Sequence, residues 1–224
     1  CFINKMDKIG ADFEFSFNSI KERLGAHPIA VQIPIGAGDD LEGLIDLLEM
    51  KAYYFDSSEL GAVVEQRDIP EDMADMAELW RHEMIERAAE LDDNLTEKYI
   101  EDESSITREE IVAALRLGTL ALKCCPTFCG AALRNVGIQR LLNGVIDFLP
   151  NPTEAPPVLG LDPKDEDTKL SRPSSLDAPF SALVFKVVSD THGDLTYARI
   201  YSGVLKKGSR VLNPVNGKKE NVSR

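Results

Sequence analysis

The sequence predicts a mixed α/β fold: part of a parallel sheet, an inserted α+β subdomain, and then the start of an antiparallel β-barrel. Three observations predict it. The apolar run Cys1-Phe2-Ile3 is followed by a polar loop and by Phe13, Phe17, Ile20 and Leu24 at helical spacing. Ile29, Val31, Ile33 and Ile35 then alternate, which completes strand, helix, strand. Second, residues 38–122 far exceed the roughly 2–6 residues that usually join sheet elements, and they carry helix patterns of their own. Third, from Phe180 onward short strand-like runs with turns between them replace the helices.

Each element has a local reason. Asp12 is placed to cap the first helix and Gly25 to stop it, so Phe13 to Leu24 is predicted helical. Pro28 to Ile35 reads as one strand. Leu44 to Phe55 reads as a short strand or hairpin arm, with Val63 and Val64 as its partner. Pro70 opens a long helix with the apolar stripe Met73, Met76, Ala77, Trp80, Met84, Ala88 and Leu91, in which Trp80 is core. Asp93 to Ile100 is a second helix. Thr107 and Glu110 form a capping-box signature for a third, running through Ala121. Lys123 to Cys129 returns to the parallel sheet, and Pro126 argues for an edge or irregular strand. Ile138, Leu141, Leu142, Val145 and Leu149 repeat as a helix stopped by Pro150. Residues 151–178, rich in Pro, Asp, Lys and Ser, read as a semi-extended linker. Strands are then expected over Phe180–Val188, Asp194–Tyr201 and Arg210–Asn213, with turns at His192-Gly193 and Lys206-Lys207-Gly208.

Composition narrows the function. At 224 residues with 43% hydrophobic content the chain can bury a core, and no apolar run approaches the roughly 18 residues of a membrane span. The net charge of -13 argues against wrapping bare nucleic acid. Between Asp39 and Glu110 stand 24 acids against 6 Lys and Arg, so this segment holds -18 and the remainder +5. The tail from Arg199 is basic; a solvated strand surface is the plain explanation. Cys1, Cys124, Cys125 and Cys129 fit no zinc spacing and read as reduced thiols of a cytosolic protein. Because the chain starts and stops inside strand-like runs, it is expected to be a piece of a longer protein.

The loop Asn4, Lys5, Met6, Asp7 follows the first strand, where open α/β sheets place their ligands. Asn-Lys-x-Asp is the pattern with which GTP-binding proteins read guanine. A carboxylate at Asp7 can accept two parallel bonds from the guanine N1 and N2 edge. Adenine would leave it unpaired, at a cost of about 1–3 kcal/mol or more. The Asn4 amide would bond the base and neighbouring loops, and the Lys5 stem would cover the ring. Gly130, Ala131, Ala132 and Leu133 follow the later sheet strand, and small residues there could offer N–H groups to guanine O6. A polar turn after a strand is the plain alternative for the first loop.

With these residues quoted, the chain resembles an internal stretch of the bacterial elongation factor G family of translational GTPases. Further matches lie in order: Ile33-Pro34-Ile35-Gly36-Ala37, Gly43 to Ala52, Asp68-Ile69-Pro70, Glu97-Lys98-Tyr99, Ile146 to Pro150, Pro179 to Leu183 and Arg199 to Gly203. The resemblance implies a partial P-loop-type GTPase sheet in two pieces, 1–37 and 123–150, around an acidic insertion at 38–122. A linker at 151–178 and the start of a second, barrel domain at 179–224 would follow. It implies that Asn4, Lys5, Met6 and Asp7 with Ala131, Ala132 and Leu133 hold the base of GTP or GDP. Ala131 stands where the family usually has serine, which removes a hydroxyl contact. It further implies GTP-dependent translocation of tRNA and mRNA in the cytoplasm by a monomer. The ribosome, through its rRNA and stalk protein, would be the partner. The sequence contains neither the Gly-x-x-x-x-Gly-Lys-[Ser/Thr] phosphate loop nor an Asp-x-x-Gly segment placed to hold Mg²⁺. The expectation is that these 224 residues alone do not hydrolyse GTP. A ribosomal protection or recycling GTPase, or a non-catalytic acidic docking module, are the alternatives.

Overall fold

The computed structural model describes residues 1–56, 63–162, 165–191 and 193–222. The chain divides into two compact units, Cys1–Leu149 and Pro150–Arg224.

The first unit begins with β1 (Phe2–Ile3), α1 (Phe13–Leu24), β2 (Pro28–Ala30) and β3 (Gln32–Ile35). Next come β4 (Gly43–Asp46), β5 (Lys51–Phe55) and β6 (Val64–Arg67). Three helices follow: α2 (Ala74–Ala89), α3 (Asp93–Asp102) and α4 (Arg108–Leu120). The unit closes with β7 (Cys125–Cys129) and α5 (Ile138–Phe148).

Two sheets result. One is parallel in the order β1-β7-β2; the other is antiparallel in the order β3-β4-β5-β6. The run 28–35, expected as one strand, changes sheet at Val31. The Val31 N–H donates to Thr127 O at 3.0 Å, and its own carbonyl accepts from Leu47 N at 3.1 Å. Val31 is fully buried, so apolar alternation continues straight through the change of sheet.

Pro126 corrects a second expectation, because β7 is the central strand of its sheet. Along β7, Phe128 N donates to Cys1 O and Gly130 N to Ile3 O, so even positions send their N–H toward β1. Pro126 lies one step before that ladder begins, and its carbonyl accepts from the Cys1 amino group at 2.7 Å. The proline costs this strand only the one N–H it would send toward β1, while its carbonyl stays in the pairing.

The helix signals are realised locally. Asp12 accepts from Phe15 N at 2.8 Å, and Gly25, at φ 62°, closes α1 with bonds to Ile20 and Lys21 carbonyls. Thr107 and Glu110 form a reciprocal capping box on α4. Trp80 of α2 packs edge-on against Phe13 and Phe17 of α1, at centroid distances of 5.6 and 5.2 Å. The α2 stripe is shifted from the expected one. Ala77, Met84, Ile85, Ala88 and Ala89 are buried, whereas Met76 is half exposed.

In the second unit, residues read as a linker hold a hairpin, β8 (Val158–Asp162) with β9 (Asp165–Arg172). The prolines around it and the polar β9 hid it, although β8 is largely apolar and exposes Leu159 and Leu161. The expected strands appear as β10 (Ser181–Asp190), β11 (Gly193–Ser202) and β12 (Arg210–Asn213), and β13 (Lys218–Asn221) pairs with β12. His192 of the expected turn lies outside the described residues. Among those described, the strands form three two-stranded ribbons and no closed barrel.

Candidate functional site

The loops after β1 and β7 lie side by side. Parallel pairing of Phe2 with Phe128 and Ile3 with Cys129 carries both chains to the same end of the sheet. Three bonds lock the loops there. Met6 N donates to Gly130 O at 3.0 Å, Ala132 N donates to Asn4 Oδ1 at 2.9 Å, and Gly38 N donates to Met6 O at 2.8 Å. The last brings in Gly36-Ala37-Gly38, a support that sequence reasoning did not find. Gly38 has φ 65° and is buried against the back of the loop.

The predicted residues play unequal parts. Asn4 is exposed, with its side-chain oxygen on Ala132. Lys5 sits in the left-handed region at φ 64°, a conformation that costs a non-glycine residue about 1–2 kcal/mol. Asp7 is sheltered: its side chain is 7% exposed, and Oδ2 lies 3.1 Å from Lys8 Nζ. A carboxylate has room for about four acceptor contacts, so one lysine leaves capacity for a ligand. Met6 turns its side chain inward, 1% exposed, and both its backbone groups are spent on neighbouring loops. It therefore holds the loop and does not line it. Ala131 is likewise buried, and its N–H is used on Val136 O at 3.0 Å. Ala132 and Leu133 reach the surface. The Leu133 side chain is 89% exposed, and its N–H has no partner among the described residues.

Behind the second loop the chain is stiff. Gly130 cannot take a Cβ, which would stand 2.2 Å from Val136 O. Ala131 and Val136 form a bridge, Asn135 is left-handed at φ 57°, and Gly137, at φ 82°, opens α5 without a side-chain cap. In the first turn of α5, Arg140 reaches the end of β4 and β5 in the antiparallel sheet. It donates to Asp46 Oδ2 from Nη2 at 2.7 Å and from Nε at 3.2 Å, lies 2.8 Å from Glu49 Oε1, and stacks 4.1 Å from the Tyr53 ring. The Tyr53 hydroxyl donates to Glu49. Asp46 also caps the next turn, accepting from Leu48 N at 3.0 Å and Glu49 N at 3.1 Å.

Charge in this cluster is balanced by contact. Burial alone would raise the Glu49 carboxyl, but bonds from Tyr53 and Arg140 and the charges of Arg140 and Arg108 bring it below its ordinary value. Burial, with the bond to Glu49, pushes the Tyr53 hydroxyl up to about 12. Burial would lower Arg140, yet the Asp46 and Glu49 carboxylates raise it. The sequence clue was an acid, Asp46, ending an otherwise apolar strand. Among the described residues no group of side chains could hold a metal ion, and no helix is long and apolar enough to cross a membrane.

Against known proteins, the chain is 48% identical to elongation factor G 1 of Bdellovibrio bacteriovorus over 225 aligned residues. That match takes in all of this chain and 32% of the relative, so the chain spans about a third of that protein's length. It is also similar to the crystal structure of ttk003000868 from Thermus thermophilus, with a TM-score of 0.68 and 27% identity. That match covers 93% of this chain and 28% of that one. No family model matches. The resemblance to bacterial elongation factor G thus holds along the whole chain.

Proposed function

We propose that this chain is the guanine-reading part of a translational GTPase of the elongation factor G type. Such a protein would promote GTP-dependent movement of tRNA and mRNA on the ribosome. The observation that carries the reading is the 2.9 Å bond from Ala132 N to Asn4 Oδ1, which holds the two loops side by side at the ends of β1 and β7. The 48% identity to an elongation factor G supports the wider assignment.

In this reading Asp7 accepts the N1 and N2 protons of guanine. Its shelter strengthens those bonds relative to water. Asn4 sets the spacing of the loops. The N–H groups of Ala132 and Leu133 are the donors to guanine O6, with Ala132 shared between Asn4 and the base. Lys5, held left-handed, lays its stem over the ring. Met6 and Ala131 act through the backbone as supports. These residues suit a base and offer nothing for phosphates or Mg²⁺, so the proposal stops at the base. The acidic helices α2 and α3 are the proposed contact for a ribosomal stalk protein, in a cytoplasmic, monomeric factor.

Asp7→Asn in the full-length protein is the test. It replaces an acceptor with a donor at the base edge, so preference should move from GTP toward xanthosine triphosphate. Loss of GDP affinity should be about tenfold or more, the effect of one unpaired buried group. Competition binding with both nucleotides reads this out. Unchanged preference would remove Asp7 from the base site.

A further inference from the structure

The inserted sheet and the second loop are tied by one side chain. Arg140 stands in the first turn of α5, where the helix dipole disfavours a cation. Two carboxylates from the insertion, Asp46 and Glu49, offset that cost, and the Tyr53 face holds the guanidinium plane. Arg140 is thus built for its neighbours across the seam, and its own helix gains nothing from it. From Arg140 back to Ala132 there is no slack. Leu141 N bonds Gly137 O at 3.0 Å, Val136 bridges Ala131, and Arg134 N bonds Ala131 O at 3.0 Å. Gly137 cannot adjust by taking a side chain, since a Cβ would meet Cys129 O at 2.7 Å and Leu44 Cδ1 at 2.8 Å.

We propose that Arg140 is a positioning residue for the guanine base, through which the inserted sheet sets the placement of the Ala132 and Leu133 N–H groups and hence the rate of nucleotide release. The inference rests on the guanine-reading role given above to the two loops. A partner that shifts β4 and β5 would then alter nucleotide release without touching the nucleotide.

The test uses the full-length protein carrying Arg140→Gln, Arg140→Lys or Arg116→Gln. Arg116 anchors the far end of the same helix, donating to Asp147 O at 2.9 Å and Leu149 O at 3.0 Å. Release of fluorescently labelled (mant) GDP is followed by stopped flow, and amide exchange over residues 131–137 by mass spectrometry. Arg140→Gln should release mant-GDP about tenfold faster, the equivalent of one charge-assisted bond pair. Exchange at 131–137 should quicken with it. Arg140→Lys, which keeps the charge but not the fork, should fall between Arg140→Gln and wild type, and it decides the matter if Arg140→Gln does not fold. Arg116→Gln should lower the melting temperature and leave release within about twofold, since its contacts lie a helix length away from the loop. Release unchanged in Arg140→Gln, or equally fast in Arg116→Gln, overturns the proposal. If Asp7→Asn leaves base preference intact while exchange at 131–137 still quickens, the base reading fails and Arg140 is reduced to a structural tie.

Discussion

At the scale of single residues, the site depends on positions where a side chain has no room. Gly130 is the clearest, because any Cβ would fall 2.2 Å from the Val136 carbonyl, and backbone cannot swing aside as a flexible side chain can. Gly130→Ala should destabilise the first unit by about 1–3 kcal/mol, the usual cost of overpacking. It should also speed amide exchange at Ala131 and Val136, which lose their bridge. A urea midpoint equal to wild type would show that the loop can relax. The polar triad Asn4, Lys5 and Asp7 was legible in the sequence, because residue type and spacing are enough to mark it. The inward turn of Met6 and the spent N–H of Ala131 were not. The Met6 N–H is spent on Gly130, far along the chain, and the Ala131 N–H on Val136, which only the folded shape of the second loop brings round. Arg140 was invisible because its partner Asp46 stands 94 positions earlier.

At the scale of elements, local chemistry read well and partner choice did not. The caps at Asp12, Gly25 and Thr107 could be placed because a cap involves only the next few residues. The break at Val31 and the central place of Pro126 depend on which strands arrive later in the chain. The α3–α4 contact gives a prediction at this scale. A hydrogen bond from Lys98, followed by backbone donation from Thr107, holds the Glu110 carboxyl at about 2 against an ordinary 4.5. A carboxylate whose folded value is lowered adds stability above its unfolded value and loses it as pH falls toward the folded one. Denaturation midpoints should therefore drop between about pH 5 and pH 2. Glu110→Gln should be less stable at neutral pH and show a smaller fall across that window. Parallel curves for the two proteins would deny the contact its role. Thr107→Ala, which removes the other half of the box, should cost about 1 kcal/mol by urea denaturation.

At the scale of the molecule, the first unit holds a three-stranded parallel sheet whose strand ends carry the loops proposed to read the base, and the second holds antiparallel ribbons. The chemistry of phosphoryl transfer needs a phosphate loop that this sequence does not contain. The purified chain is therefore expected to release no phosphate from GTP above a buffer blank in a colorimetric assay, and turnover would refute this. The division into an α/β part and a later β part was legible because the period of apolar residues changes near Phe180. The β8–β9 hairpin was not legible, since Pro152, Pro156, Pro157, Pro163 and Pro173 and the polar run of β9 mark a linker, and the short apolar run of β8 is too brief to outweigh them.

The passage through Val31 has one more consequence. The chain passes from the parallel to the antiparallel sheet without a flexible tether, and a single residue is stitched to β7 on one side and to the turn after β4 on the other. Cutting there would strip Thr127 and Leu47 of their bonds and leave two raw edges. The segment is thus no portable cassette: a graft starting at Gln32 would leave Leu47 N without its acceptor, and one starting at Val31 would keep that bond but need a surrogate for Thr127 of β7.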